Sequence, residues 1–296
     1  MLYIYRRVAS TGAVQLAATL NGRRYRGLEY PIERKVRPGD IVVCWGEQLQ
    51  PINGVQILNG APFKNKLQDA ITLRDAGVPT IEFNMTRPVI QAAPAIDPAI
   101  ELWNSAQEIA ANFIALPMAR TPVVFDGLSD FSQKLMQLHA TLARPLPSAA
   151  VIEDINWVGR LSHHIGGNDL LNPPNRPDFW VKKENITREF RVHSFKGRSI
   201  RSGMKIPRVG VAEPHSWIRS WDSGWRISYD GSTIRQRHRD IAHRAIIALG
   251  LDFGAVDVAE KADGSIFILE VNRAPGLEGG TIRAYADAIN LWKESL

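Results

Sequence analysis

The fold of this chain is decided near its C-terminal end, where residues 252–257 read Asp-Phe-Gly-Ala-Val-Asp and residues 270–279 read Glu-Val-Asn-Arg-Ala-Pro-Gly-Leu-Glu-Gly. Two runs of β-forming residues, 254–259 and 265–272, flank the dipeptide Asp263-Gly264. An Asp-Gly pair between two such runs is typical of a two-residue hairpin loop. The sequence therefore predicts a β-hairpin at this position.

The predicted hairpin brings polar side chains together on one face. With Asp263-Gly264 at the centre of the loop, Asp257 is expected directly opposite Glu270, and Asn272 points to the same side. Two carboxylates and an amide oxygen thus converge outside the core. The opposite face is expected to carry the core residues Val256, Val258, Leu269 and Val271.

Two carboxylates directly opposite each other on a hairpin repel, so a compensating positive charge is expected. Mg²⁺ suits this position because it takes one or two carboxylates together with substrate phosphates, and Asn272 would add an oxygen ligand. The alternative is a solvated acidic face on an exposed hairpin.

The composition is that of an ordinary globular protein, with 45% hydrophobic and 22% charged residues among 296. No apolar run approaches the roughly 20 residues that span a bilayer. The first residues read as a strand rather than as a signal peptide. A single cysteine, Cys44, excludes an internal disulfide or a cysteine-rich metal site. We therefore expect a cytoplasmic protein with no membrane partner.

The net charge of +6 is compatible with an anionic partner. Basic residues concentrate between Lys182 and Arg208, without the interleaved aromatic residues of a base-stacking surface. This pattern favours small polyphosphates over nucleic acid.

The pattern along the chain predicts two kinds of architecture. Residues 1–84 alternate strand-like runs with a helix at about 65–76, which indicates a small α/β lobe with a largely parallel sheet. A proline- and alanine-rich stretch at 84–98 predicts a linker. The later segments predict an α+β arrangement, so the predicted fold class is α/β and α+β. Its further elements are helices at about 99–116, 128–144 and 234–249 and strands at about 80–83, 155–161, 179–183 and 189–200.

Residues 252–280 resemble the metal-binding end of ATP-grasp enzymes, which include D-alanine–D-alanine ligase, the ribosomal-protein glutamate ligases and phage-encoded carboxylate–amine ligases. Two further segments agree in order and distance. Residues 66–80, Lys-Leu-Gln-Asp-Ala-Ile-Thr-Leu-Arg-Asp-Ala-Gly-Val-Pro-Thr, are similar to the helix and turn that lead out of the family's first lobe. Residues 189–197, Glu-Phe-Arg-Val-His-Ser-Phe-Lys-Gly, are similar to the strand and turn that bring an arginine to the phosphates.

The resemblance implies an ATP-grasp fold and an ATP-dependent ligase that joins a carboxylate to an amine through an acyl phosphate. It implies an N-terminal α/β lobe at 1–84, a linker and first ATP-grasp subdomain with its flap at 85–178, and a second subdomain with the metal site at 179–296. The implied cofactors are ATP and Mg²⁺, with Mn²⁺ as an alternative metal. The implied partners are small-molecule or peptide carboxylates and amines.

The resemblance also assigns a metal site and cations around the phosphates. Mg²⁺ would bridge the phosphates of ATP to Asp257, Glu270 and Asn272. Transfer of the γ-phosphoryl group gathers negative charge, which the metal and fixed cations stabilise. The implied catalytic cations are Arg191, Arg201 and Lys205.

Strand periodicity supports Arg191 as the first of these cations. Glu189, Arg191 and His193 are expected on one face of their strand, with Phe190 and Val192 on the other. The alternative role for Arg191 is a surface ion pair with Glu189.

Two segments are implied to contact the nucleotide. Residues 179–183, Phe-Trp-Val-Lys-Lys, stand where the family's adenine-binding hinge would lie, with Lys182 and Lys183 as the candidate residues. Gly166 and Gly167 fall in the place of the glycine-rich flap, where paired glycines let backbone N–H groups approach phosphate oxygens. Arg160, on the strand before the flap, stands where the family often has a lysine, and an arginine is not a simple replacement.

Arg273 follows the metal-binding asparagine, where many relatives carry a small residue. Its planar guanidinium could hold the carboxylate of a substrate. The alternative is a structural ion pair with Glu278.

Other phosphate-dependent and hydrolytic chemistries lack their motifs in this sequence. We find no Gly-x-x-x-x-Gly-Lys-Ser/Thr loop, no Gly-x-Gly-x-x-Gly at the start of a helix and no Gly-x-Ser-x-Gly turn. Two alternatives to a ligase stay open. One is a kinase that phosphorylates a hydroxyl with the same clamp, and the other is a non-catalytic ATP-binding or regulatory protein.

Overall fold

A computed structural model describes residues 1–28, 30–62, 64–91, 151–153, 156–162, 174–230 and 234–296. The chain divides into two compact units, of which the first combines Met1–Thr86 with Asn156–Leu296 and the second is Arg87–Ile155. The helices expected at 99–116 and 128–144, most of the linker expected at 84–98, and the glycine pair Gly166-Gly167 lie outside the described residues. In the second unit the description covers an antiparallel strand pair, β6 (Val89–Gln91) and β7 (Val151–Glu153).

The first unit begins with a parallel sheet, as the sequence predicts. Its four strands follow the order β2-β1-β3-β4 and all pair in parallel. They are β1 (Leu2–Tyr5), β2 (Arg23–Tyr25), β3 (Ile41–Cys44) and β4 (Gln56–Leu58).

Helix α1 (Thr11–Thr19) crosses between β1 and β2. Its side chains Ala13, Leu16 and Ala17 recur at helical spacing and are buried against the sheet. Ser10 caps its N-terminus by accepting a hydrogen bond from the Ala13 N–H.

Helix α2 (Lys66–Asp75) confirms the helix predicted at about 65–76. Asn65 and Gln68 form a reciprocal capping box at its start. Gly77 follows its end with φ +66°, a conformation that glycine adopts readily. The strand expected at 80–83 is divided into an isolated bridge between Thr80 and Ile268 and the short strand β5 (Phe83–Asn84).

The large antiparallel sheet of the first unit has the strand order β12-β11-β10-β13-β14. The predicted strand at 189–200 is in fact two strands, because Lys196 and Gly197 both adopt positive φ and turn the chain back. The strands are β10 (Ile186–Phe195), β11 (Arg198–Pro207), β12 (Trp225–Ser228), β13 (Phe253–Lys261) and β14 (Ile266–Asn272).

Two helices cover the large sheet and complete the core. Helix α3 (Gln236–Ala248) confirms the predicted helix at about 234–249 and buries Ile241, Ala245 and Ile246 against Val192. Helix α4 (Gly280–Glu294), which the sequence reading did not identify, buries Tyr285 and Ile289 in a core cluster shared with the parallel sheet.

The hairpin of β13 and β14 differs from the prediction in its loop. Glu260 pairs with Ile266, and the Lys261 N–H donates to the Ser265 carbonyl, so the loop has three residues, 262–264. Gly264 closes it with φ +82°. Three-residue loops of this kind end in a residue with a left-handed backbone conformation, and Gly264 of the Asp-Gly pair takes this position.

A β-bulge restores the predicted register beyond the loop. Val258 pairs with Ile268 but Asp257 pairs with Glu270, which leaves Leu269 without a cross-strand partner. The predicted opposition of Asp257 and Glu270 is therefore confirmed. The expected core position of Leu269 is wrong, because the bulge turns it to the polar face while Ile268 enters the core.

A smaller antiparallel sheet faces this region within the first unit. Its order is β5-β9-β8, formed by β5 (Phe83–Asn84), β8 (Trp157–Arg160) and β9 (Phe179–Lys182). The predicted α/β and α+β architecture is thus confirmed in the described residues. No helix in those residues combines the length and apolar character that a membrane crossing requires.

Candidate active site

A cavity of about 680 Å³ opens within the first unit, over the polar face of the large sheet. The predicted hairpin residues Asp257, Glu270 and Asn272 line it. The cationic residues in its wall are Arg160, Lys182, Arg191, Lys205, Arg219 and Arg226. The structure thus brings most of the sequence-predicted site residues to one space.

Arg191 and Asp257 form a buried bidentate ion pair on the floor of the cavity. They are cross-strand neighbours on β10 and β13, and the Arg191 Nε and Nη2 donate to Asp257 Oδ1 and Oδ2 at 2.7 Å each. Burial alone would raise the pKa of Asp257, but Arg191 and Lys205 outweigh it and hold this pKa well below its usual range. The carboxylate is therefore ionised at neutral pH, and Arg191 pairs with Asp257 rather than with Glu189.

Lys205, on the neighbouring strand β11, connects two buried carboxylates. Its Nζ lies 3.3 Å from Asp257 Oδ2 and also contacts Glu189 Oε1. Burial would lower the pKa of Lys205, but Asp257 and Glu189 together raise it. Burial raises the pKa of Glu189 despite its contact with Lys205. Two predicted cations, Arg191 and Lys205, thus stand side by side on the cavity floor.

Glu270 is the more accessible of the two hairpin carboxylates, with 31% of its side chain exposed. It accepts hydrogen bonds from Lys66 Nζ and from Asn272 Nδ2, both at 3.2 Å. Burial would raise its pKa, yet the Lys66 charge lowers it overall. Glu270 is therefore a charged carboxylate that faces the cavity and can offer oxygen atoms as ligands.

The donor set fits a hard divalent cation. Asp257, Glu270 and Asn272 supply oxygen atoms, and Mg²⁺ completes such a set with phosphate oxygens and water. Where the structure describes the chain, it contains no group of three or more His, Cys, Asp or Glu side chains arranged to hold a metal ion. A protein-only site of the zinc type is therefore absent from those residues, whereas a site completed by a substrate's phosphates needs fewer protein ligands.

His193 lies beneath the ion pairs and was not identified as a site residue from the sequence. Its ring nitrogens lie 3.2 Å from the Tyr285 hydroxyl and 3.0 Å from the Tyr229 hydroxyl. Burial lowers the pKa of His193 to about 3, and the Arg191 charge adds to this effect. The imidazole is therefore neutral. Its place on the same strand face as Glu189 and Arg191 was the signal that could have identified it.

Two other predicted site residues, Arg201 and Arg273, are not among those that line the cavity. Arg201 stacks 3.9 Å over the Tyr229 ring and reaches Gly280 at the start of α4. The structure places Arg273 away from the cavity, where it donates to the Pro62 carbonyl at 2.7 Å and to Asp69 Oδ1 at 3.0 Å.

The expected hinge strand, β9, contributes Val181 and Lys182 to the cavity, and Arg160 lies on the neighbouring strand β8. Arg160 and Lys182 line the cavity, and Lys182 Nζ also donates to Glu82 at 2.8 Å. Lys183 points elsewhere, 5.9 Å over the Trp217 ring. The Lys182 and Lys183 N–H groups already donate to the carbonyls of Glu82 and Asn156.

Three tryptophans form one wall of the cavity, a feature to which the sequence assigned no role. Trp217, Trp221 and Trp225 all belong to the segment that connects β11 to β12 or begins β12. Arg208 stacks 4.3 Å over Trp221, and Arg219 stacks 4.7 Å over Trp225. Trp221 remains 63% exposed, so this wall presents an open aromatic surface to an entering molecule.

Comparison with known proteins agrees with the resemblance drawn from the sequence. No family model matches this chain. Ribosomal protein bS6–L-glutamate ligases of Salmonella paratyphi B and Salmonella newport are 50% identical to it over 48 residues, which is 16% of this chain and 16% of each relative. The match thus spans about a sixth of the length of these relatives.

Solved structures of similar extent are also ligases by name. D-alanine–D-alanine ligase from Bacillus anthracis in complex with ATP has a TM-score of 0.49 at 13% identity, covering 98% of this chain and 91% of that one. The ATP-grasp ligase PsnB, in complex with a phosphomimetic variant of its minimal precursor, Mg and ADP, has a TM-score of 0.46 at 15% identity, covering 97% and 98%.

Proposed function

We propose that this chain is an ATP-grasp carboxylate–amine ligase, an enzyme that uses ATP to form an amide or peptide bond through an acyl phosphate. The observation that carries the proposal is the group of charges at one end of the cavity. There Arg191 and Lys205 flank Asp257, while Glu270 faces the open space. Alternating fixed cations and oxygen donors suit a polyphosphate with its metal.

The proposed organisation follows the sequence reading. The N-terminal α/β lobe would comprise residues 1–84, the linker and first ATP-grasp subdomain 85–178, and the second subdomain 179–296. Asp257, Glu270 and Asn272 would hold Mg²⁺, or Mn²⁺ as the alternative metal. When bound, the metal supplies positive charge that neutralises the phosphate oxygens.

The chain's own cations would stabilise the transferred phosphoryl group. Arg191 and Lys205 are held by buried carboxylates, so their charges stay in place and need no reorganisation as negative charge develops. Arg160 and Lys182 would contact the nucleotide from the opposite wall, together with Gly166 and Gly167 of the proposed flap.

The proposed reaction has two steps. A carboxylate oxygen of the acid substrate forms a bond to the γ-phosphorus of ATP, and ADP leaves. The amine then forms a C–N bond to the acyl carbon, phosphate leaves with the C–O electron pair, and the amine loses a proton. No protein nucleophile is needed, because the site acts by positioning and electrostatics.

The substrate would enter along the tryptophan wall. Trp217, Trp221 and Trp225 offer flat apolar faces, and the arginines stacked on them add positive charge. Arg201, next to the start of α4, would lie beside the substrate rather than the nucleotide. The contacts of Arg273 with Asp69 and Pro62 support a role in holding α2 and the 273–279 loop together.

The function is tested by ADP release from ATP and Mg²⁺ with pools of amino acids and short peptides. ADP that requires both an acid and an amine would establish a ligase. A stable phosphorylated product formed without an amine would instead establish a kinase. MgATP binding with no ADP from any pool would favour a non-catalytic protein.

Glu270→Gln is the sharpest variant for this assay. Loss of a metal ligand should lower ADP release by about a thousandfold, which corresponds to about 4 kcal/mol of transition-state stabilisation. The partly exposed ion pair with Lys66 contributes at most about 1 kcal/mol, so thermal unfolding should change little. Asp263→Asn removes the same charge from the exposed tip of this hairpin and is the matched control. Full activity of Glu270→Gln would contradict the metal assignment.

A further inference from the structure

The parallel sheet of the first unit has a reversal of strand order that the proposed reaction does not use. The chain passes from β1 to β2 on one side and then places β3 on the other side of β1. In open α/β sheets, ligands bind at such a reversal of strand order, outside the carboxyl ends of the strands. The relevant ends here are those of β1 and β3, followed by Arg6 and Trp45.

Four arginines gather near the carboxyl ends of β1 and β2, and we call them the arginine edge: Arg6, Arg7, Arg24 and Arg26. Three of them make side-chain hydrogen bonds to neutral carbonyls. Arg6 Nη1 donates to Trp45 at 2.9 Å, Arg24 Nη2 to Val8 at 2.8 Å and Arg26 Nε to Arg7 at 3.2 Å.

Negative charge at the arginine edge is sparse. In the described part of the chain, Glu47 makes an ion pair there, 3.7 Å from Arg7 Nε, and the charge of Glu33 also raises the pKa of Arg7. Among the residues that the structure describes, the buried Nε atoms of Arg6 and Arg24 have no hydrogen-bond partner. Burial lowers the pKa of Arg24, and the charges of Arg26 and Arg6 lower it further, which shows that the cations repel one another. An oxyanion would relieve this repulsion.

The start of α1 adds to the positive potential near the arginine edge. Ser10 caps the helix with a neutral side chain, and the first turn carries no acidic residue. The partial positive charge of the helix N-terminus is therefore not offset by a side chain of that turn.

The arginine edge adjoins the loop that leaves the proposed metal site. A Cβ atom at Gly46 would lie 2.6 Å from both Arg6 Nη1 and the Ala274 Cβ, and one at Gly12 would lie 2.6 Å from the Leu277 Cβ. The same loop lines the cavity with Gly276 and Glu278. The 273–279 loop thus lies beside Arg6 of the arginine edge and also lines the cavity.

We propose that the arginine edge is an oxyanion-binding subsite that holds a carboxylate or phosphate group of the ligase's substrate, remote from the carboxylate that reacts. The site selects substrates with a second anionic group, such as an acidic peptide or a small phosphate ester. This assignment of substrate class rests on the proposed function, whereas the binding of oxyanions by the arginine edge does not.

Direct binding to the full-length chain without ATP or metal tests this subsite. Triglutamate, triglutamine and inorganic pyrophosphate are titrated separately by calorimetry at low salt. Triglutamate should bind and triglutamine should not. Tighter binding of triglutamate than of pyrophosphate assigns the subsite to carboxylates, and the reverse order assigns it to phosphate.

Arg24→Gln and Arg26→Gln should each weaken binding of the preferred anion at least tenfold. Arg23→Gln, which removes the same charge from the adjacent and oppositely directed position of β2, should weaken it less than twofold. Thermal unfolding of each variant verifies that the fold is retained. Equal losses in all three variants, or no loss in any, would overturn the subsite in favour of a diffuse surface charge.

Two further outcomes are decisive. The small-substrate assignment would be overturned if a single-stranded oligonucleotide bound more than tenfold tighter than triglutamate and if this binding were lost in Arg24→Gln and Arg26→Gln. If Glu270→Gln keeps full ADP release while Arg26→Gln still loses anion binding, the metal assignment of the proposed function fails and the subsite stands.

Discussion

Acidification from pH 7 to pH 5 is predicted to destabilise the protein through His193. This imidazole is 1% exposed and lies between the hydroxyls of Tyr285 and Tyr229, under the charge of Arg191. Its pKa is lowered to about 3 in the folded chain, against about 6.5 in an unfolded chain. Between these two values the unfolded state binds one more proton than the folded state.

The sign and size of the effect follow from this difference in bound protons. Because the folded pKa of a base is lowered, the contribution of His193 is complete above pH 6.5 and is lost as the pH falls. For a pKa of 6.5 in the unfolded chain and negligible protonation in the folded one, the loss between pH 7 and pH 5 is about 2 kcal/mol. Asp257 does not contribute in this range, since its pKa lies far below it.

Urea unfolding at pH 7, 6 and 5 measures this loss. His193→Gln keeps an amide that can bond both tyrosine hydroxyls but cannot titrate, so its free energy of unfolding should fall by about 2 kcal/mol less over this range. The other histidines contribute equally to both proteins and cancel in the comparison. If the two proteins lose stability in parallel to within about 0.5 kcal/mol, His193 does not have the lowered pKa on which this reasoning depends.

Two other predictions concern buried groups that do not line the cavity. Glu260→Gln should lower the free energy of unfolding by about 2 kcal/mol, because this carboxylate is 3% exposed and takes part in hydrogen bonds with Arg188, Arg237 and His238. Urea unfolding measures the loss, and a change below about 0.5 kcal/mol would contradict it. Cys44 should resist alkylation by iodoacetamide at pH 8, since burial raises the pKa of its thiol to about 12. Mass spectrometry should show modification only after unfolding in urea, and rapid labelling of the native protein would show that the thiol is accessible.

The candidate site was predicted best where its geometry is local. Asp257 and Glu270 belong to one hairpin, and alternation along two adjacent strands is enough to set them opposite each other. Even there, the loop length was wrong by one residue, and the bulge at Leu269 compensated for it. A bulge has no single-sequence signature, because it depends on how the strands twist against their neighbours.

The helices show the same difference between features set by local sequence and features set by tertiary packing. The predicted helix at 65–76 has a capping box at its start and a glycine after its end, so local signals define both boundaries. Helix α4 begins after Gly279 without a side-chain cap. Its buried residue Tyr285 packs against Trp45 and Phe253, which belong to other elements. The sequence pattern alone therefore did not reveal it.

What the sequence by itself determined is the parallel N-terminal sheet, the strand face of Arg191 and the convergence of carboxylates on the hairpin. Only the tertiary structure decided which charged side chains lie next to each other. The pairing of Arg191 with Asp257, the pairing of Arg273 with Asp69 and the arginine edge at the ends of β1 and β2 all depend on how separate segments are brought together. Side-chain periodicity is a property of one strand, whereas an ion pair requires two segments whose distance along the chain carries no information about their distance in space.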